Sequence, residues 1–344
     1  MTDRNNIDAL AQKIKAARSI VLSTHKQCDG DGLGAEMALY YGLKKADKNV
    51  RVLNVDGTPK KYDFLSVEQI VQTFEGPHDP LVSTDLALIF DTNDRRLLEP
   101  LYQTIEAQCA EIAFIDHHPV LKHGPTPTSG SLIDVTAAST GEIAYDLLRA
   151  LGIELDAQIA RMLYTSIAFD THLFRFIRKS PKSHLIAAQL LTFEKDPEEV
   201  HRRLFADYTV ERMSFLARAL SRIEYTREGR IAIVRLQAQD MLDFGLDLDA
   251  SRDVIDQVMT IETLQAAALF RQEGDGRYKL SLRSKGSWSL LGVAESLGGG
   301  GHPFAAGAYL EGNYESLRAS VVSQLESLAD ADDARAKLPA GKAR

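Results

Sequence analysis

His25, Asp29 and Asp31 stand in the segment HKQCDGDG at an H-x-x-x-D-x-D spacing that can turn one imidazole and two carboxylates toward a common point. Gly30 and Gly32 are expected to let that loop fold tightly. Alone, such a turn serves equally well as the N-terminal cap of a helix beginning near Leu33. Three further segments repeat its chemistry: Asp91 and Asp94 lie in FDTNDRR, Asp116, His117 and His118 are consecutive in FIDHHPV, and Asp170 sits in SIAFDTHLFRF. Carboxylates gathered at neighbouring points repel one another unless cations lie between them. An acid beside Phe169, Leu173 and Phe174 is also costly to bury without a partner. Imidazole and carboxylate donors with no thiolate suit a hard or borderline divalent ion, Mn2+ or Mg2+ ahead of Zn2+. Six or more such ligands exceed the needs of one ion and point to two, about 3.5–4 Å apart with Asp91 shared between them. Cys28, inside the first loop, reads as a small packing residue.

The elements that must position these groups alternate in the first half of the chain. Strands are expected at 19–24, 50–55, 85–90 and 111–115, with helices at 33–46, 66–74 and 97–109. That is the α/β pattern of a parallel sheet with helices on both faces. The clusters at 25–31, 91–94 and 116–118 each follow a strand, at the sheet edge where open α/β sheets bind ligands, while Asp170 lies in a helical stretch. Helices dominate from Ser139 onward, where Ser139 and Glu142 fit a capping box opening a helix at 140–151. Further helices are expected at 156–169, 181–193 and 197–205, and a long amphipathic one at 209–225. Strands at 230–236, 264–271, 278–283 and 306–310, with helices at 290–296 and 314–328, form a second, smaller α/β domain. The expected limits are 1–195 for the first domain, 196–226 for a helical linker, 227–331 for the second domain and 332–344 for a fraying tail.

The second domain carries its own candidates. Glycines 298 to 301 expose backbone N–H groups that can form a concave anion-binding nest, and His302 adds a hydrogen bond or a positive charge. Arg283, beside Ser284, ends the strand-like LSLRS with a guanidinium fork suited to phosphate. Lys285 and Arg271 are weaker candidates, and Trp288 reads as core before a base-stacking platform. His172 lies near the acid at 170 or simply on the surface, and His78, His123, His184 and His201 lack ligand spacing.

Composition excludes several classes. A length of 344 residues exceeds what one hydrophobic core usually serves. With 40 Lys+Arg against 48 Asp+Glu, the net charge of −8 argues against coating long nucleic acid, which needs a broad basic surface. A small anionic substrate at a local site remains compatible. Two cysteines are too few for a disulfide scaffold or a thiolate zinc site, so a reducing compartment is expected. The polar N-terminus and the lack of any apolar run near ~20 residues predict a cytoplasmic protein without a membrane partner.

With the triplet Asp116-His117-His118 and the segment GGGGHPFAAG at 298–307, the chain resembles the DHH phosphoesterase superfamily, with its DHH-associated C-terminal domain, over nearly its whole length. Within it the chain most resembles the short two-domain oligoribonuclease and 3′-phosphoadenosine 5′-phosphate phosphatase branch. The resemblance implies that His25, Asp29 and Asp91 hold one metal ion while Asp31, Asp91, His117 and Asp170 hold the other. It implies that His118 faces the substrate phosphate, that Asp116 supports the ligands, and that the active site lies in the cleft between the domains. Arg283, Ser284, Gly299, Gly300, Gly301 and His302 would then grip the substrate. The implied reaction is phosphoester hydrolysis in very short RNA, and in 3′-phosphoadenosine 5′-phosphate, by two-metal activation of a bridging hydroxide. Mn2+ is the favoured ion, with Mg2+ or Co2+ as alternates, and a homodimer is implied. A phosphodiesterase for cyclic or linear dinucleotides would use the same metals. A pyrophosphatase would lack the GGGGH segment, and a long-strand DNA exonuclease would be longer and more basic. A catalytically silent nucleotide sensor would have lost a ligand, and every expected ligand is present. The family usually has proline before the first aspartate of its first motif, where this chain has Cys28.

Overall fold

Strand β1 (Ser19–Thr24) is apolar on both sides, and its side chains divide accordingly: Ile20 and Leu22 enter one core and Val21 another. Such a strand must be covered on both faces, as parallel sheets are. The computed structural model describes residues 4–76, 84–121, 124–206, 208–246 and 250–336, and the chain divides into two units, 1–207 and 208–344. Among the described residues no helix is long and apolar enough to cross a membrane.

In the first unit β1 is joined by β2 (Asn49–Asn54), β3 (Val71–Thr73), β4 (Thr84–Phe90), β5 (Cys109–Asp116) and β6 (Leu132–Ile133). They form one sheet, ordered β3-β2-β1-β4-β5-β6, and every pairing is parallel. The order reverses between β1 and β4, so the connections leaving these strands part there and open a crevice beyond their carboxyl ends. The helices are α1 (Arg4–Ala16), α2 (Gly30–Lys45), α3 (Leu101–Gln108), α4 (Thr140–Leu151), α5 (Ala157–Asp170), α6 (Lys182–Leu190) and α7 (Pro197–Phe205).

Three expectations need correction in this unit. The helix expected at 66–74 is absent: 60–65 is a short 3-10 turn, and Val71 and Thr73, β-branched and pleated, pair with β2 instead. Helix α2 starts at Gly30, earlier than 33, because Asp29 caps it by accepting from the amides of Asp31 (2.9 Å) and Gly32 (3.3 Å). The capping box at α4 is half formed: Ser139 accepts from the Glu142 amide, but the Glu142 carboxylate takes the Ala138 amide and the Ser183 hydroxyl.

The segment 196–226 does not stand apart as a linker. Val200 and Leu204 of α7 belong to the first unit's core, whereas Phe215, Leu216 and Ala219 of α8 (Val210–Leu220) belong to a core of the second unit. Apolar faces on both helices have been claimed by different cores, and the long helix expected to 225 ends at Leu220.

The second unit adds β7 (Glu224–Thr226), β8 (Ile231–Leu236), α9 (Ala238–Leu242), α10 (Ala250–Val258), β9 (Ala266–Gly274), β10 (Arg277–Ser284), α11 (Leu291–Ser296), β11 (Gly300–His302), β12 (Ala305–Glu311) and α12 (Tyr314–Ala336). Its mixed six-stranded sheet runs β11-β12-β10-β9-β8-β7, with only β8 and β9 parallel. The tail expected to fray from 332 is helical to 336, and the rest lies outside the described residues.

One buried acid of the first unit predicts a stability effect. Glu36 on α2 is fully buried, accepts from Asn54 Nδ2 at 3.0 Å, and leaves its other oxygen without a partner. Burial pushes its carboxyl up to about 8. Between its unfolded value near 4.5 and that value the folded chain holds a proton the unfolded chain has lost, so stability falls as pH rises through the window. Glu36→Gln is therefore expected to raise the melting temperature in chelator by on the order of 5 °C at pH 9 and to leave it unchanged at pH 4.5. Equal shifts at both pH values in thermal melts would contradict the account.

Candidate metal centre

Three of the four acidic segments stand at the carboxyl ends of neighbouring strands, β1, β4 and β5. β1 delivers His25 and the cap of α2, β4 delivers Asp91, and β5 ends in Asp116 and leads into His117 and His118. Asp170 arrives from the last residue of α5. The glycines of the first loop are required by close approach, and not by a tight turn. A Cβ on Gly32 would meet Thr24 Oγ1 at 2.4 Å, and one on Gly30 would meet the Phe169 ring at 2.8 Å. Cys28 is buried and its thiol is pushed up, chiefly by burial, as suits a packing residue.

Three sets of donor atoms converge, each within 4.8 Å: His25, Asp29 and Asp91; Asp31, His117 and Asp170; Asp91, His117 and His118. Asp91 sits at their middle. Its backbone occupies the left-handed region at φ 59°, which aspartate tolerates better than most residues, while its amide continues the sheet by donating to the Ile115 carbonyl. His25 Nε2 lies 3.6 Å from its Oδ2, and Thr140 Oγ1 donates to its Oδ1 at 2.9 Å.

The strongest indication of a cation is His117. This ring is 1% exposed, and its Nδ1 faces the Ala137 carbonyl at 3.3 Å. Its Nε2 is buried and has no hydrogen-bond partner. It faces Asp31 at 3.6 Å, Asp91 at 3.7 Å and Asp170 at 3.5 Å. Burial, then the charge of His118, pushes this imidazole down to about 3, so it does not supply the missing positive charge itself. Burial and the Asp170 charge push the Asp31 carboxyl well up, burial and Asp31 do the same to Asp91, and Asp170 is pushed up to about 6 by burial and Asp29. Acids so crowded around a neutral imidazole lone pair form a donor set that fits divalent cations.

His118 is held differently. Asp116, fully buried, accepts from the His118 amide at 3.1 Å and from its Nδ1 at 2.9 Å. Burial pushes the imidazole down and the carboxyl up. The bond and charge between them outweigh it, leaving His118 above and Asp116 below their ordinary values. The histidine ring is about one-third exposed and is held through Nδ1.

Several supporting residues carry no signal in the spacing. Asp31 is seated on the start of α4, accepting from the amides of Thr140 (2.8 Å) and Gly141 (3.1 Å), where the helix dipole favours an anion, and from Ser166 Oγ. Asn93 Nδ2 donates to Asp116 at 2.7 Å and to the His118 carbonyl at 2.9 Å. Arg178 donates to the Val135 carbonyl, and its Nη2 lies 3.3 Å from His117 Nδ1.

Among the other histidines, His172 is exposed beside Phe176 and Phe205, His184 stacks on Phe174, and His201 meets Tyr164 OH at 2.9 Å. His78 and His123 lie outside the described residues.

In the second unit Arg283 and His302 are both opposite Ala305, so the three share one row on one face of the sheet. Ser284 is on the other face, where its hydroxyl donates to the Trp288 carbonyl at 2.7 Å, a structural contact in place of the expected substrate one. Gly299, Gly300 and Gly301 do not form an open nest. Gly298 and Gly299 donate to Glu295 and Ala294 at the end of α11, and Gly300 and Gly301 enter β11. A Cβ on Gly299 would meet the Gly307 carbonyl at 2.0 Å, and Gly301, at φ 134°, is similarly tight against Ala305 and Ala306. The run lets β11 lie flat on β12. Lys285 is occupied by the Ile261 and Glu262 carbonyls, Arg271 by Ser251 and Glu273, and Trp288 is core.

The chain belongs to the DHH family, a family of phosphoesterases. The model of the DHH family N-terminal domain matches residues 19–167 and that of the DHHA1 domain matches 229–331. A bifunctional oligoribonuclease and PAP phosphatase of Thermus thermophilus is 30% identical over 307 residues, covering 88% of each chain. A protein of the same description from Bacillus subtilis is 26% identical over 93% of this chain and 97% of its own. Among solved structures, an exopolyphosphatase-related protein from Bacteroides fragilis superposes with a TM-score of 0.86 at 20% identity, covering 96% of this chain and 99% of that one.

Proposed function

We propose that the protein hydrolyses phosphoester bonds in very short oligoribonucleotides and in 3′-phosphoadenosine 5′-phosphate. The observation that carries this reading is the unpartnered, buried Nε2 of His117 ringed by Asp31, Asp91 and Asp170. The relatives' described activities support the choice of substrate.

In this reading His25, Asp29 and Asp91 hold one divalent ion, and Asp31, Asp91, His117 and Asp170 a second, with Mn2+ favoured. Such ions supply Lewis acidity: they neutralise phosphoryl charge and bring the pKa of water near neutrality. Asp91, fixed by its amide and by Thr140, sets the spacing of the two halves. Thr140, Gly141 and Ser166 hold Asp31, and the Ala137 carbonyl and Arg178 flank His117 Nδ1. Water attacks phosphorus and releases a proton to solvent as the bond to the leaving oxygen breaks; that oxygen takes a proton from His118 Nε2, or from solvent where His118 instead donates to a phosphoryl oxygen, while Asp116 retains Nδ1. Arg283 and His302, sharing one face of the second sheet, bind the part of the nucleotide away from the reacting phosphate.

The test incubates the protein with Mn2+ and dinucleotide RNA, 3′-phosphoadenosine 5′-phosphate, a cyclic dinucleotide or pyrophosphate. The first two are expected to turn over. If none does so above an Asp91→Asn control, the proposal fails. Arg283→Ala is expected to raise KM on the dinucleotide about tenfold with metal content unchanged; a parallel loss of metal would remove Arg283 from the substrate.

A further inference from the structure

Immediately after Asp170 the chain makes a compact excursion that begins and ends at His117. It leaves from the Asp170 carboxylate, 3.5 Å from His117 Nε2, and returns at Arg178, whose Nη2 is 3.3 Å from Nδ1 of the same ring. The excursion is stiff. Thr171, fully buried, accepts on its carbonyl from the amides of Arg175 (2.8 Å) and Phe176 (3.0 Å), and its hydroxyl accepts from the Phe174 amide at 2.9 Å. His172, Leu173 and Phe174 hold consecutive left-handed backbone conformations, as do Arg178 and Lys179, which side chains other than glycine adopt at a cost.

That strained backbone displays an aromatic ledge. Phe176 is 59% exposed, its ring 5.6 Å from His172 in an edge-on arrangement and 5.7 Å from the Arg175 guanidinium. His172 leans on Phe205 at 5.9 Å, Phe205 stacks on Phe169 at 6.3 Å, and Lys61 lies over Phe169 at 5.7 Å. Neither Arg175 nor Arg178 makes an ion pair with a carboxylate among the described residues. Phe176 is two residues from Arg178, a span of about 7 Å at most.

Exposed aromatic faces interleaved with cations are the chemistry that binds single-stranded nucleotides, through base stacking and phosphate neutralisation. We propose that Phe176 and His172, flanked by Arg175, form a nucleobase-stacking subsite of the first unit. It takes one base of a short oligoribonucleotide whose scissile phosphate lies at the metal centre. The inference rests on the substrate reading above and adds a specificity element to it.

The test compares wild type, Phe176→Ala and Phe176→Trp on a dinucleotide RNA and on its two abasic analogues, each lacking one base. Phe176→Ala is expected to raise KM on the dinucleotide about tenfold with kcat nearly intact, and Phe176→Trp to restore it. The loss should shrink to less than twofold on one abasic analogue and persist on the other. An unchanged KM on the dinucleotide, or an equal loss on both analogues, would overturn the subsite. Binding is read apart from turnover by the emission of Phe176→Trp in chelator: saturable quenching by the dinucleotide supports stacking, and unaltered emission refutes it. Quenching without turnover by the wild type would sink the assigned reaction while leaving the subsite standing.

Discussion

Asp91→Asn is expected to lower kcat/KM on dinucleotide RNA by about 10³-fold or more, the scale of losing several kcal/mol of metal-derived charge stabilisation. Asparagine is the informative replacement. It tolerates the left-handed backbone at φ 59° and can still accept from Thr140, so the fold is expected to survive while the anionic group proposed as the shared ligand is lost. A second measurement carries the opposite sign. In chelator the wild-type carboxyl, pushed up by burial and by Asp31, destabilises the folded chain increasingly as pH rises above its unfolded value near 3.8. The variant escapes that term and is expected to melt several degrees higher than wild type at pH 8 without metal. Added Mn2+ should then stabilise wild type far more than the variant. A variant that loses activity while binding Mn2+ as tightly as wild type would remove Asp91 from the ligand set.

The second large effect is expected at His118. His118→Ala should lower kcat by about 10²–10⁴-fold with metal content retained, because its ring is held by Asp116 and not committed to the centre of the acidic cluster. The leaving group separates its two candidate roles. A nucleotide ester of a good leaving group, such as a nitrophenol, needs no proton on departure. If His118 is the acid, the defect of His118→Ala should largely vanish on that ester; a defect of equal size on both substrates assigns His118 to the phosphoryl oxygens. Asp116→Asn should show the same pattern more weakly, since the asparagine still accepts from Nδ1 but no longer supports a charged ring. Loss of metal in either variant would contradict this division of labour.

The acids were legible because each stands one or a few residues after an apolar strand, and a parallel sheet carries all its strand ends to the same edge. Asp29, Asp31, Asp91 and Asp116 needed only that rule. What spacing could not convey was the backbone's share. The run of glycines at 298–301 looks like an anion nest in one dimension, but the amides of Gly298 and Gly299 are used to end α11, and the missing Cβ atoms of Gly299 and Gly301 admit β12. Ser284 adjoins Arg283 in sequence, yet alternation along β10 puts it on the opposite face. The 66–74 stretch misled because Val67, Ile70 and Val71 fit a helical stripe as well as a strand approach, and pairing with β2 decided between them. Arg178 and Phe176 were invisible for a different reason: their placement depends on a left-handed excursion that no periodicity encodes. Asp29 shows that a bland reading and a functional one need not compete, since it caps α2 with one oxygen while belonging to a donor set.

That double use reaches further. The amides of Asp31 and Gly32 donate to the Asp29 carboxylate, and those of Thr140 and Gly141 donate to Asp31. The first turns of α2 and α4 are thereby tied to the two acids in series, and if those acids hold a cation as proposed, its binding is expected to alter the exchange of these four amide protons with solvent. Hydrogen exchange at those amides would then serve as an isotope gauge of the centre, read one amide at a time in the intact chain.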